Sequence, residues 1–211
     1  MKQDYISAID GGERRMLSAV PTLKRSGETD DTTPSIIEGY AALYNEVADL
    51  RWFKEKIAQG AFDDVLTDDV RALFNHDPNY VLARSVEGKG TLKLSVDEKG
   101  LKYSFEVDKG ISYVADLARS IERGDVNQSS FGFTIAEESW DYTDPNMAVR
   151  TITKIGRLYD VSPVTYPAYE GTTVSARSLE SAKQAPKNTA ALEAEIRERE
   201  LFLNRSSKIN S

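Results

Sequence analysis

Ser130, His76 and Asp160 have the side-chain types needed to turn a hydroxyl on a carbonyl carbon. A serine hydroxyl is a weak nucleophile near neutral pH. It needs a base within hydrogen-bond reach, and the base needs a partner that orients it. His76, in "ALFNHDPNYVLARS", is the only histidine in 211 residues, and the chain has no cysteine. Any Ser-His chemistry must therefore run through this one ring. A zinc site built from Cys and His is excluded, because only one such ligand exists. A lone histidine is more commonly a hydrogen-bonded structural residue, so the other residues have to decide its role.

The hydroxyl comes from "DVNQSSFGFTIAEESW", where Ser129 and Ser130 stand at the start of a strand. Strand alternation sets Ser130 and Gly132 on the face opposite Phe131, Phe133 and Ile135. Ser129 falls on the Phe131 face, where it packs or bonds to backbone. Gly132 leaves room beside Ser130 for another backbone or a substrate. The same residues also fit a polar pair that merely begins a strand. Three acids compete as the partner of His76. Asp160 lies in the strand-like "LYDVSPV", where a charge is unfavourable unless paired. Asp77 adjoins His76, but sequence neighbours point apart. Glu55 in "WFKEKI" is the third.

Composition removes several other chemistries. Net charge is -7, so no basic patch dominates and nucleic acid is not an expected partner. No apolar run approaches the ~20 residues that span a bilayer, and residues 1–10 lack the layout of a secretory signal. The absence of cysteine suits a reducing cytosol. No pair of carboxylates stands out for glycoside hydrolysis. "GKG" at Gly88 to Gly90 lacks the spacing of a phosphate-binding loop. No cofactor and no metal are expected.

The elements that would position these residues read as mainly β. Residues 1–35 are polar, with "KRSGETDDTTPS" a loop or linker, and order is expected to begin at "IIEGYAALYN". Gly39 in that run marks a bulge or a close backbone approach. "GAFDDVL" reads as a short helical piece. "VRALFNH" reads as a buried strand that delivers His76 to an Asp-Pro turn. "TLKLSV" and "LKYSFEV" alternate and are separated by "DEKG", which predicts a hairpin. "SYVADLARSIERG" places Tyr113, Val114, Leu117, Ala118 and Ile121 on one helical face, with Ser112 as N-cap and Gly124 as the stop. "RTITKIGRLYDVSPVTYPAY" supplies further strands, broken into short pieces by Pro163 and Pro167. "SAKQAPKNTA" is a linker. The terminal "LEAEIRERELFLNR" carries Glu193–Arg197 and Glu195–Arg199 pairs and reads as an exposed helix. The expected organisation is a polar segment over residues 1–35, a domain over 36–178, and a linker with a charged helix over 179–211. The domain is expected to be a closed or nearly closed β-barrel with flanking helices.

In order, "EGYAALYN", "GAF", "NHD", "SSFGF" and "DVSPVTYPAYEGT" resemble the prohead maturation proteases of tailed phages. The resemblance runs from about Ile36 to Arg177. This family is similar in fold to the herpesvirus assemblin proteases, which are serine hydrolases on a β-barrel flanked by helices. The resemblance implies His76 of "NHD" as the base and Ser130, directly before "FGF", as the nucleophile. Asp160 matches the third member by position. It also implies a serine endopeptidase of capsid maturation that cleaves scaffold segments, the capsid precursor and itself. The place of action would be the prohead in the host cytoplasm. Self-cleavage is expected within residues 178–195, and the terminal helix is a candidate handle on the capsid precursor. Homo-oligomerisation is left open. The competing reading is a non-enzymatic capsid assembly or scaffold protein that keeps the fold.

Overall fold

The computed structural model describes residues 9, 11–17, 21–24, 35–50, 52–144 and 147–166. In chain order the elements are β1 (Glu13–Leu17), β2 (Thr22–Lys24), β3 (Ile36–Leu43), β4 (Ala48–Asp49), β5 (Lys54–Ile57), β6 (Val70–Phe74), β7 (Asp77–Val86) and β8 (Lys89–Gly90). They continue with β9 (Lys93–Val96), β10 (Gly100–Glu106), α1 (Ser112–Glu122), β11 (Gln128–Asp141) and β12 (Val149–Val164). The larger sheet runs β1-β11-β12-β6-β7-β8, with β5 on the far reach of β12 and β4 on β5. The smaller sheet runs β2-β3-β10-β9.

The expected mainly β class is present, but among the described residues the strands do not close into a barrel. The larger sheet ends at β1 and β8 and the smaller at β2 and β9, and no ladder joins them. The two sheets share a core instead. Ile37, Ala41, Leu101, Tyr103 and Phe105 of the smaller sheet meet Phe131, Phe133, Leu158 and Val161 of the larger, and the apolar face of α1 joins them. The alternation that predicted the β9–β10 hairpin is what turns Leu101, Tyr103 and Phe105 inward.

One helix, not several, flanks the described strands. Its inward residues are Val114, Leu117, Ala118 and Ile121, with Tyr113 half-buried and its hydroxyl donating to the Val81 carbonyl at 2.9 Å. The N-cap is Ile111, not Ser112. A turn at Asp108 to Gly110, in which the Asp108 carboxylate accepts the Gly110 N–H at 2.8 Å, starts the helix one residue early. Gly124, with φ +80°, ends it as expected. "GAFDDVL" is not a helix. Asp63, Val65 and Asp68 donate to carbonyls three residues back, giving linked turns that still bury Ala61, Phe62 and Val65.

Two strands arise in the segment read as polar, since β1 pairs with β11 and β2 with β3. Pro163 does not break β12. It stands at the penultimate position, beyond the β6 ladder that ends at Val161, so its missing N–H removes no bond there. Gly39 is a close approach. A Cβ there would lie 3.0 Å from the Tyr103 hydroxyl oxygen and 3.2 Å from Pro21 Cα. The register shift in that ladder falls elsewhere, between Leu101 and Lys102. Pro167, the self-cleavage region expected over 178–195, and the linker and charged helix expected over 179–211 lie outside the described residues.

Candidate functional site

His76 sits in the tight turn between β6 and β7, not in a strand before an Asp-Pro turn. Asn75 has φ 54° and His76 φ 56°, so both central residues of this two-residue hairpin are left-handed. Asn and His tolerate that region better than most residues. Pro78 cannot adopt it, which is why Asp77 and Pro78 open β7 instead. The turn is fastened to the end of β12. The Asn75 N–H donates to the Pro163 carbonyl at 3.0 Å, and the Asn75 side-chain oxygen accepts the Thr165 N–H at 2.9 Å. The strained backbone and its tethers fix the direction of the imidazole.

The other two groups come from adjacent strands. β11 and β12 are antiparallel, with Ser130 opposite Ser162 and Gly132 opposite Asp160. His76 reaches across both. Its Nε2 lies 2.6 Å from Ser130 Oγ, and its Nδ1 lies 2.6 Å from Asp160 Oδ1. Ser130 and Asp160 are fully buried and His76 nearly so. A carboxylate at Nδ1 favours the tautomer with the proton on Nδ1, leaving Nε2 to accept from the serine. The arrangement can therefore move the Ser130 proton to the ring while Asp160 balances the imidazolium that results.

Ser162 escaped the sequence reading. Its hydroxyl donates to Asp160 Oδ1 at 2.6 Å, so one carboxylate oxygen receives both Ser162 and His76. The available signal was spacing. Residues i and i+2 of a strand share a face, and "YDVSPV" puts Ser162 beside Asp160. Ser129 points away from His76. It is buried and lies 3.0 Å from the Tyr103 hydroxyl, a side-chain rather than a backbone partner. The space at Gly39 is what lets the Tyr103 ring lie there. Asp77 accepts from Asn79 and does not meet His76.

Glu55 belongs to a different cluster. It bonds to Arg15 of β1 and to Arg150 of β12, with Arg150 Nε at 2.6 Å. Glu13 completes the group by accepting from Arg15 and from Arg150 Nη2 at 2.8 Å. Glu138 also accepts from Arg150, at 3.2 Å. The Arg150 guanidinium lies 5.0 Å from the Phe53 ring centroid. Burial alone would raise the Glu13 carboxyl, but Arg15 and Arg150 outweigh it and hold it below its ordinary value. A depressed carboxylate stabilises the fold above its unfolded value and loses that contribution as pH falls through its folded value. Glu13→Gln should therefore lower the urea midpoint at pH 7, by an amount corresponding to about 3 kcal/mol for a broken buried pair. The gap to wild type should shrink below about pH 4.5, the ordinary carboxyl value, and close at lower pH. A gap independent of pH would assign the loss to packing.

A hydroxyl, an imidazole and a carboxylate in line is the arrangement used by serine hydrolases on several unrelated folds. The chain belongs to the family of caudovirus prohead serine proteases, which it matches over residues 22–185. It is 32% identical over 150 residues to the prohead protease of Enterobacteria phage HK97, covering 70% of this chain and 62% of that one. The chain thus spans about 62% of the length of that relative. Among solved structures it is similar to the bacteriophage T4 capsid assembly protease, at 15% identity and a TM-score of 0.42, over 74% of this chain and 99% of that one. Among the described residues no group of three acids or histidines is placed to hold a metal ion, and no helix is long and apolar enough to cross a membrane.

Proposed function

We propose that the chain is a serine endopeptidase of phage capsid maturation, with Ser130 as nucleophile, His76 as general base and Asp160 as its orienting acid. The observation that supports this reading is the single ring of His76 held 2.6 Å from both Ser130 Oγ and Asp160 Oδ1. In the first step His76 Nε2 takes the hydroxyl proton as Ser130 Oγ bonds to a peptide carbonyl carbon. The ring then returns that proton to the leaving amine, and water releases the acyl group by the same route. Backbone N–H groups would stabilise the tetrahedral oxyanion. Asp160 stays ionised and stabilises the imidazolium, and Ser162 holds the carboxylate in place.

The family and the relative from phage HK97 support capsid precursor and scaffold segments as substrates, cleaved inside the prohead in the host cytoplasm. The chain itself is a further substrate, cut within residues 178–195, whose sequence, containing Ala, Lys and Pro, suits entry into a protease cleft. Mass spectrometry tests this directly. Co-expressed with a capsid precursor, the wild-type chain should yield a shortened precursor and its own C-terminally trimmed form. Both products should be missing with His76→Ala. Equal products from the two chains would remove the peptidase reading and leave a non-enzymatic assembly protein.

A further inference from the structure

The nucleophile is covered by the chain's own β1. β1 lies antiparallel along the free edge of β11, with Met16 opposite Ser130 and Arg15 opposite Phe131. Ser130 Oγ donates to the Arg15 carbonyl oxygen at 2.8 Å while lying 2.6 Å from His76 Nε2. A hydroxyl has one proton, so the Arg15 carbonyl competes with the ring for it. The carbonyl is engaged through its oxygen as an acceptor and does not present its carbon for attack. β1 thus lies along β11 over Ser130 as an extended strand without being on the reaction path.

Its side chains are held by complementary charge. In a strand, Glu13 and Arg15 share one face. The Glu13 carboxylate meets Arg150 and the Arg15 guanidinium meets Glu55. Arg150 and Glu55 also pair with each other at 2.6 Å, so this pair persists when β1 leaves. Both are buried, one from β12 and one from β5, and their partners on β1 differ by two residues. A fixed pair of opposite charges beside a β-edge suits an extended strand that carries an acid two positions before a base.

We propose that Glu55 and Arg150 form the specificity subsite of the cleft beside Ser130, for an extended peptide with an acidic residue two positions before a basic one, and that β1 is the chain's own occupant of it. This rests on the reading of Ser130 as nucleophile. The basic residue of a substrate brings its carbonyl group to Ser130 at the position of Arg15, but turned so that the carbonyl carbon, which Arg15 keeps from attack, faces the hydroxyl. Incoming peptides must displace β1, so β1 sets how readily the site opens.

The test uses the full chain and a fluorescein-labelled peptide with the sequence of residues 11–17. The first host carries Ser130→Ala, which removes cleavage. The second adds Glu13→Ala and Arg15→Ala, which release β1. The peptide should bind the second host about 30-fold more tightly than the first, and a peptide with alanine in place of Glu13 and Arg15, Arg14 being kept, should lose about 30-fold on the second. Equal binding to both hosts, no binding to either, or indifference to the two charges would overturn the proposal. Should the released host fail to fold, Glu13→Gln in the otherwise wild-type chain decides. Its Ser130 should react about tenfold faster than wild type with a small fluorophosphonate, because the weakened strand uncovers the hydroxyl more often. An unchanged rate overturns the proposal. Peptide binding that follows this pattern without any proteolysis keeps the subsite and removes the peptidase reading. Proteolysis without the binding pattern does the reverse.

Discussion

Ser130→Ala should abolish proteolysis of a capsid precursor and leave the chain folded. The expected loss is on the order of 10⁶ in kcat, the scale seen when a serine peptidase loses its nucleophile. The substitution deletes one oxygen from a packed position and adds no volume, so little strain follows. It does remove the hydrogen bond to the Arg15 carbonyl, leaving that acceptor short of a partner, which bears on β1 rather than on the core. Ser129→Ala is the matched control. Its hydroxyl bonds to Tyr103, whose buried phenol is pushed up by burial, and it does not touch His76. It should cost about 1 kcal/mol of stability and retain most activity. The check is precursor cleavage alongside thermal melts of both variants. If Ser129→Ala were inactive and Ser130→Ala active, the nucleophile would be the other serine.

The two serines show what was legible in the sequence. Alternation with Phe131 and Phe133 separates Ser130 from Ser129 in the sequence itself, because the period of a strand is local and fixed. His76 was legible by elimination. The choice among Asp160, Asp77 and Glu55 was open from spacing alone. It depends on the register of the long β11–β12 hairpin, which starts at Asp141 opposite Val149 and shifts at four places before Asp160 comes opposite Gly132. Ser162 shared that hairpin and was passed over because a serine two residues from an acid is unremarkable in one dimension. The segment that holds β1 reads as polar loop or linker for a related reason. Glu13, Arg14 and Arg15 look solvated in sequence, and only Glu55 and Arg150, contributed by β5 and β12, make two of those charges inward-facing. A binary pattern of apolar and polar residues cannot register a strand held by buried ion pairs. Among the described residues two packed sheets stand where a barrel was expected, since short strands with turns between them describe two packed sheets as well as one closed one.

Asp160→Asn should fold and lose activity by on the order of 10⁴, as expected when the orienting acid of a triad is neutralised in place. The amide keeps the size of the carboxylate and changes what it can offer at two contacts. Oδ1 of Asp160 accepts from His76 Nδ1 and from Ser162 Oγ, both at 2.6 Å. An asparagine that turns its NH₂ toward Nδ1 forces that nitrogen to accept, which moves the ring proton to Nε2 and leaves nothing to take the Ser130 proton. If its oxygen faces Nδ1 instead, the tautomer survives but the imidazolium loses its counter-charge in a buried site. Either outcome damages the chemical step more than substrate binding. The loss should therefore fall mainly on kcat, with KM little changed. Ser162→Ala separates orientation from charge. It keeps the carboxylate and deletes one hydrogen bond to it, which for a charged acceptor corresponds to about 1.5–3 kcal/mol and a loss of roughly ten- to a hundredfold. Asp160→Asn combined with Ser162→Ala should be scarcely worse than Asp160→Asn alone, because the hydroxyl acts only through the carboxylate. Additive losses in the double variant would show that Ser162 acts on the reaction by another path. A loss below tenfold in Asp160→Asn would mean that a different group orients His76.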